Sequence, residues 1–180
     1  MSPVGHSAIS FLAGKAMRCS PWAAVLGGLW ADVDLLAWPV DLHHMFHRTV
    51  THSVAFAVAS AVVVGLLARR RRWAWCAGFL VGGLLHLAAD ACFDTNPANG
   101  IGVMLWWPWS QQMIGLVDMP RLMAFIESGP ATGHGLEVSR LLVTLGAELP
   151  FVAIAGWSVL SRRRRQAGHR LDRKRQGVAT

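Results

Sequence analysis

Trp73-Ala74-Trp75-Cys76-Ala77-Gly78-Phe79-Leu80-Val81-Gly82-Gly83-Leu84-Leu85-His86-Leu87-Ala88-Ala89-Asp90-Ala91-Cys92 is the stretch on which the reading of this chain turns. It follows the arginine run Arg69 to Arg72 and is apolar except for His86 and Asp90 near its end. As a helix it extends about 30 Å at 1.5 Å per residue, close to the thickness of a bilayer's hydrocarbon core. His86 and Asp90 are spaced i,i+4, so on that helix they share a face one turn apart. One imidazole and one carboxylate so placed can ligate a single metal ion, or the Asp can orient the His. An ionisable pair in such a helix is costly unless paired, which makes it a functional candidate. The bland alternative is a His–Asp hydrogen bond that only ties helices together.

The rest of the chain has the same character. Of its 180 residues, 53% are hydrophobic and only 15% charged, against roughly 25% charged in an ordinary soluble domain. The length suits one domain. The apolar residues come in blocks rather than stripes. A soluble all-α protein is disfavoured, because long buried helices in so small a chain leave too little polar surface. Four further helical segments are predicted: Gly5 to Arg18, Pro21 to about Trp30, Ser53 to Ala68 with Thr51 or Ser53 as cap, and Leu136 to Leu160, kinked at Pro150. A short amphipathic piece is expected near Pro120 to Ser128. Cys19, Cys76 and Cys92 fit neither a disulfide framework nor a zinc motif. The first residues lack the basic n-region of a signal peptide, so insertion is expected to rely on the internal helices.

Charge gives this bundle an orientation. The net charge is +7, concentrated at Arg69 to Arg72 and in a tail from Arg162 to Arg175. Nucleic-acid binding is one reading of such runs, but both directly follow apolar blocks, which favours cytoplasmic flanks of membrane helices; no nucleic-acid partner is expected. Five spans then put the N-terminus outside and the C-terminus inside, and Lys15 and Arg18 also fall inside. The expected organisation is a membrane-embedded domain over 1–161 and a basic cytoplasmic tail over 162–180. At the opposite, non-cytoplasmic end the same topology gathers His6, Asp32, Asp34, His47, His52, His86 and Asp90.

Asp32-Val33-Asp34 pairs two carboxylates, whose repulsion a divalent cation relieves. At i,i+2 they do not share an α-helical face, so a helix end or loop is implied; a capping pair before Pro39 is the plain alternative. His47-Arg48-Thr49-Val50-Thr51-His52-Ser53 sets two histidines on a loop entering a helix. Arg48 there can clamp a phosphate or developing oxyanion; an interfacial polar loop is the plain reading, and His43 and His44 suit it better. Trp106, Trp107 and Trp109 fit an aromatic belt.

These motifs resemble the YdjM-like family of inner-membrane metal-dependent hydrolases, also described as LexA-binding. The matching features are Gly5-His6, Ala31-Asp32-Val33-Asp34, the His47-Arg48 and Thr51-His52-Ser53 block, Gly82 through Asp90, and Gly102-Val103-Met104-Leu105-Trp106-Trp107-Pro108. Ala31 stands where the family often has proline. The resemblance covers about residues 5 to 110 and implies an all-α polytopic membrane bundle of about five helices, distantly like the zinc-dependent phospholipase C and P1-nuclease group. It implies His6, Asp32, His52, His86 and Asp90 as metal ligands, with Asp34 and His47 completing a second metal site or acting as base. The function so implied is hydrolysis of a phosphoester, such as a lipid headgroup, by a water activated on one or two divalent ions. Mixed imidazole and carboxylate ligation favours Zn²⁺, while Mn²⁺ and Fe²⁺ tolerate it. Asp34, His47 and Arg48 are the catalytic candidates; the bilayer in a bacterial inner membrane is the partner. Two other readings compete. A non-catalytic metal-binding scaffold, or interaction protein in a stress response, would not need so many converging ligand-type residues. A small transporter would place its ionisable groups near the midplane, often with inverted repeats.

Overall fold

The computed structural model describes residues 2–40, 48–93, 102–116, 146 and 148–161. Five α-helices are described: α1 (Pro3–Ala16), α2 (Pro21–Trp30), α3 (Val54–Leu67), α4 (Arg72–Phe93) and α5 (Glu148–Ser161). There is no β-strand among the described residues. Serines start the first three helices. The side chains of Ser2, Ser20 and Ser53 accept the N–H groups of Gly5, Ala23 and Phe56, satisfying donors that a helix start leaves open. Proline follows the cap in α1 and α2, where its missing N–H costs nothing. Ser53 is thus the cap of α3. A 3₁₀ helix, Ala31–Val40, continues α2, and a short one, Arg69–Arg71, joins α3 to α4. The amphipathic piece expected near Pro120 to Ser128, the first part of the last helix and the basic tail lie outside the described residues, as do His43, His44 and His47. Pro150 lies within the described helical stretch Glu148–Ser161.

The bundle is packed the opposite way from a water-soluble one. Its buried apolar residues are mostly alanines: Ala8, Ala23, Ala24, Ala31, Ala57, Ala61, Ala89 and Ala91. The largest side chains that are fully buried include His6, His52 and His86. The large apolar side chains point outward instead: Val58, Val62, Val63, Leu66 and Leu67 on α3, and Leu149, Ile154, Trp157 and Leu160 on α5. Small residues inside and bulky ones outside is what a lipid surround selects, since lipid solvates leucine and only close backbone packing holds helices together.

Glycines make that close packing possible where α2 crosses α4. A Cβ on Gly82 would lie 1.8 Å from the Ala24 carbonyl oxygen, and one on Gly27 would lie 2.0 Å from that of Phe79. The two backbones therefore touch. Among the described residues, Arg72–Cys92 has the length and mean hydropathy, 1.4, for a membrane crossing. Val54–Leu67 and Glu148–Ser161 are apolar but shorter. At about 20 Å each, they fall short of a 30 Å core.

Residues 102–116 close one end of the bundle. Val103 and Ile114 exchange two backbone hydrogen bonds, at 3.1 and 2.9 Å. Leu105 accepts from Val54 N at the start of α3, and Leu116 N donates to Ala91 near the end of α4. This segment ties together the two helix ends that carry His52 and Asp90.

Candidate metal centre

At that end, side chains from α1, the 3₁₀ segment, the start of α3 and α4 converge. His86 Nε2 lies 3.1 Å from Asp90 Oδ2 and 3.6 Å from Asp32 Oδ1. His52 Nε2 lies 3.3 Å from Asp90 Oδ2 and 3.6 Å from Asp32 Oδ1. The two imidazole nitrogens are 3.2 Å apart. These are five of the six edges of a tetrahedron whose corners are two nitrogens and two oxygens. Donor atoms held 2.0–2.1 Å from a tetrahedral zinc ion are about 3.3 Å from one another, so the residues present fit such an ion. His6 joins through the other carboxylate oxygen, with Nε2 3.2 Å from Asp90 Oδ1. Two three-residue groups result, His6–His86–Asp90 and Asp32–His52–His86, and Asp90 reaches both with its two oxygens.

What surrounds these groups sets how they can act. His86 Nδ1 is 2.6 Å from the Gly28 carbonyl. A carbonyl only accepts, so Nδ1 carries the hydrogen and Nε2 presents a lone pair to the cluster. A metal-binding histidine needs this tautomer and such an outer partner. His6 stacks on His86 with ring centroids 4.0 Å apart; its Nδ1 is buried and has no hydrogen-bond partner among the described residues. The histidine side chains are at most 2% exposed, while those of Asp32 and Asp90 are 23% and 22% exposed. The cluster is closed on its imidazole side and open on its carboxylate side.

The residues named from sequence thus separate into groups. His6, Asp32, His52, His86 and Asp90 come together. Asp34 does not point into the cluster with them: its Oδ2 accepts the Thr51 hydroxyl at 3.2 Å, and Thr51 Oγ1 stands 3.1 Å from His52 Nδ1. The 3₁₀ geometry separates the pair, since three residues per turn send positions two apart to different faces. Asp34 therefore sits one hydroxyl behind His52. Arg48 has a left-handed backbone, φ 64, uncommon for a residue with a side chain. Its backbone nitrogen lies 3.3 Å from His52 Nδ1 and its carbonyl accepts from Met104 N. His47 lies outside the described residues.

Sequence reasoning did not single out Gly28 or Glu148. Glu148, at the start of α5, is buried and accepts both the N–H and the hydroxyl of Ser2. It lies against Gly5, where a Cβ would come within 2.6 Å of its carboxyl carbon. The last helix thereby clamps the turn before His6. Nothing local marks Glu148 for this, since its partner is 146 positions away.

Apolar side chains outside and a histidine–aspartate cluster inside define an all-helical membrane protein with a buried polar centre. A family model described as YdjM inner membrane protein matches residues 1–166, and the chain belongs to that family. No match was found among curated proteins or among solved structures.

Proposed function

We propose that this protein is a membrane-bound, metal-dependent hydrolase acting on a phosphoester, with a lipid headgroup as the substrate class. The near-tetrahedral placement of Asp32, His52, His86 and Asp90 carries the reading. A structural tie between helices needs one His–Asp contact, not four donor groups at ligand spacing. In this reading those four hold one divalent ion, zinc by the chemistry of the donors. His6 and the second oxygen of Asp90 offer part of a second position. When bound, the ion supplies Lewis acidity toward a phosphoryl oxygen and lowers the pKa of a water to near neutrality.

The chain's own residues supply the rest. Gly28 holds His86 in its ligating tautomer. Asp34, through Thr51, orients His52, and is assigned here as a positioning residue. Arg48, fixed by its backbone beside His52, is assigned to the phosphoryl oxygens. The open carboxylate side is the route of entry. A membrane location favours a substrate whose headgroup reaches the interface, and the exposed Trp106 and Trp109 suit that level. The orientation proposed is five crossings, with the site on the non-cytoplasmic face.

The test is metal analysis of gently purified, detergent-solubilised protein, paired with phosphodiesterase and phospholipase assays. Wild type is expected to carry divalent metal and metal-dependent activity, and Asp90→Ala and His86→Ala to lose both. Metal without activity on any phosphoester would leave the scaffold reading; wild type with neither would end the proposal. Reporter fusions at Arg72 and at the C-terminus should both read cytoplasm, and a split result would break the five-crossing arrangement.

A further inference from the structure

A second feature lies at the other end of α4, about 20 Å from His86 along the helix axis. The turn between α3 and α4 is built of arginines, and two cavities adjoin it. One, of about 490 Å³, is lined by Arg69, Arg71, Arg72, Trp73 and Ala74. The other, of about 300 Å³, is lined by Val62, Gly65, Leu66, Arg72, Trp73 and Cys76. They share Arg72 and Trp73, and among the described residues no carboxylate lines either. The second is a groove between α3 and α4. Its floor is low because Gly65 has no side chain: a Cβ there would lie 2.8 Å from Cys76 Cβ. Its outer wall is Leu66, 71% exposed, and Trp73, 75% exposed. The Arg72 guanidinium carbon is 5.5 Å from the Trp73 ring centroid, which sets charge and indole side by side.

We infer that this turn is a binding site for an anionic phospholipid, with the phosphate on the arginines and an acyl chain in the groove. The two halves of the site need the two halves of one molecule. Guanidinium groups recognise phosphate oxygens by paired, charge-assisted hydrogen bonds. The groove offers carbon and excludes anything that must stay hydrated. Inorganic phosphate would satisfy the arginines and leave the groove empty. A nucleic acid would do the same at larger scale. A zwitterionic lipid brings an ammonium group toward a cavity whose described lining is cationic and holds no carboxylate. An anionic headgroup alone leaves nothing opposed, and basic pockets beside membrane helices bind such headgroups. Trp73 stands at the junction, where indole rings settle at the membrane–water interface.

The site does not depend on the proposed hydrolase activity, and its test does not use that activity. Detergent-solubilised full-length protein is mixed with phosphatidylglycerol, cardiolipin or phosphatidylcholine, and retained lipid is counted by native mass spectrometry. Phosphatidylglycerol and cardiolipin should be retained at least tenfold better than phosphatidylcholine. Each arginine should contribute roughly fivefold, so the triple variant Arg69→Gln, Arg71→Gln, Arg72→Gln should abolish the preference. Leu66→Gln should weaken retention of the lipid without changing binding of inorganic phosphate. The melting temperature in detergent and a single size-exclusion peak report whether each variant is folded. Should the triple variant not fold, Arg71→Gln and the salt dependence of wild-type retention take its place; retention must fall as salt rises. Equal retention of phosphatidylcholine, full displacement by millimolar inorganic phosphate or by a DNA fragment, or an unchanged arginine variant would each overturn the site.

Discussion

Gly82→Ala is the substitution that tests most of this structure at once. The added methyl carbon would sit 1.8 Å from the Ala24 carbonyl oxygen and near the backbone of Gly28. Non-bonded heavy atoms rest about 3.5 Å apart, so α2 and α4 must separate by about 1.5 Å or more. Overpacking of this kind costs about 1–3 kcal/mol. Alanine recovers up to about 1 kcal/mol through its better helix propensity, and the backbone on both sides of the clash is rigid, so a net loss near 2 kcal/mol is expected. For a chain of this size that lowers the melting temperature by roughly 5 °C. A second effect is more specific. The Gly28 carbonyl reaches His86 Nδ1 across the same crossing, and parting the helices stretches that bond. Losing an outer partner of a metal ligand weakens metal affinity by about 10–100-fold. The assay is thermal melting in detergent together with metal titration, with Gly156→Ala as the control. Among the described residues nothing lies within 4 Å of a Cβ at Gly156, so that variant should be neutral or slightly stabilised. If Gly82→Ala melts and binds metal like wild type, the backbone contact between α2 and α4 is not what sets the site.

Thr51→Val removes the hydroxyl between Asp34 and His52 with little change of shape; metal affinity measured by competition with a chelating dye should fall about 10–100-fold, and Thr51→Ser should restore most of it. Glu148→Ala leaves the N–H and hydroxyl of Ser2 without their acceptor and should cost about 2 kcal/mol, seen as a melting shift with metal stoichiometry retained at saturating ion. Chelation of wild type should lower its melting temperature by the amount that binding contributes, about 4 kcal/mol where free ion stands a thousandfold above its dissociation constant; His86→Ala should show no such response.

Several of these features were legible in the sequence because they are local. The i,i+4 spacing of His86 and Asp90 requires only that the stretch be helical. A hydroxyl residue before an apolar run marks a cap by its chemistry, and of the two candidates, Thr51 and Ser53, the structure uses Ser53. The meeting of His6, Asp32 and His52 with that pair was reached indirectly, through charge: the arginines gave the helices directions, and the directions sent the ligand-type residues to one end. The different placing of Asp32 and Asp34 was not readable, because an α-helix, a loop and a 3₁₀ helix each aim a pair two apart differently, and tertiary packing decided for the last. Gly28 was invisible for another reason, since it acts through its main chain and any residue has a carbonyl. Glu148 was hidden by distance: only the packing of α5 against α1 brings it to Ser2.

The bond from Gly28 to His86 also bears on inheritance. A ligand oriented by another side chain can lose its partner through a single codon change. Here the acceptor is part of the peptide backbone, and no missense change at position 28 can delete it. What mutation can alter is the distance between the two helices, and that is governed by the glycines at their crossing. The heritable specification of the centre therefore extends beyond the residues that face it, to positions whose whole contribution is the absence of a side chain.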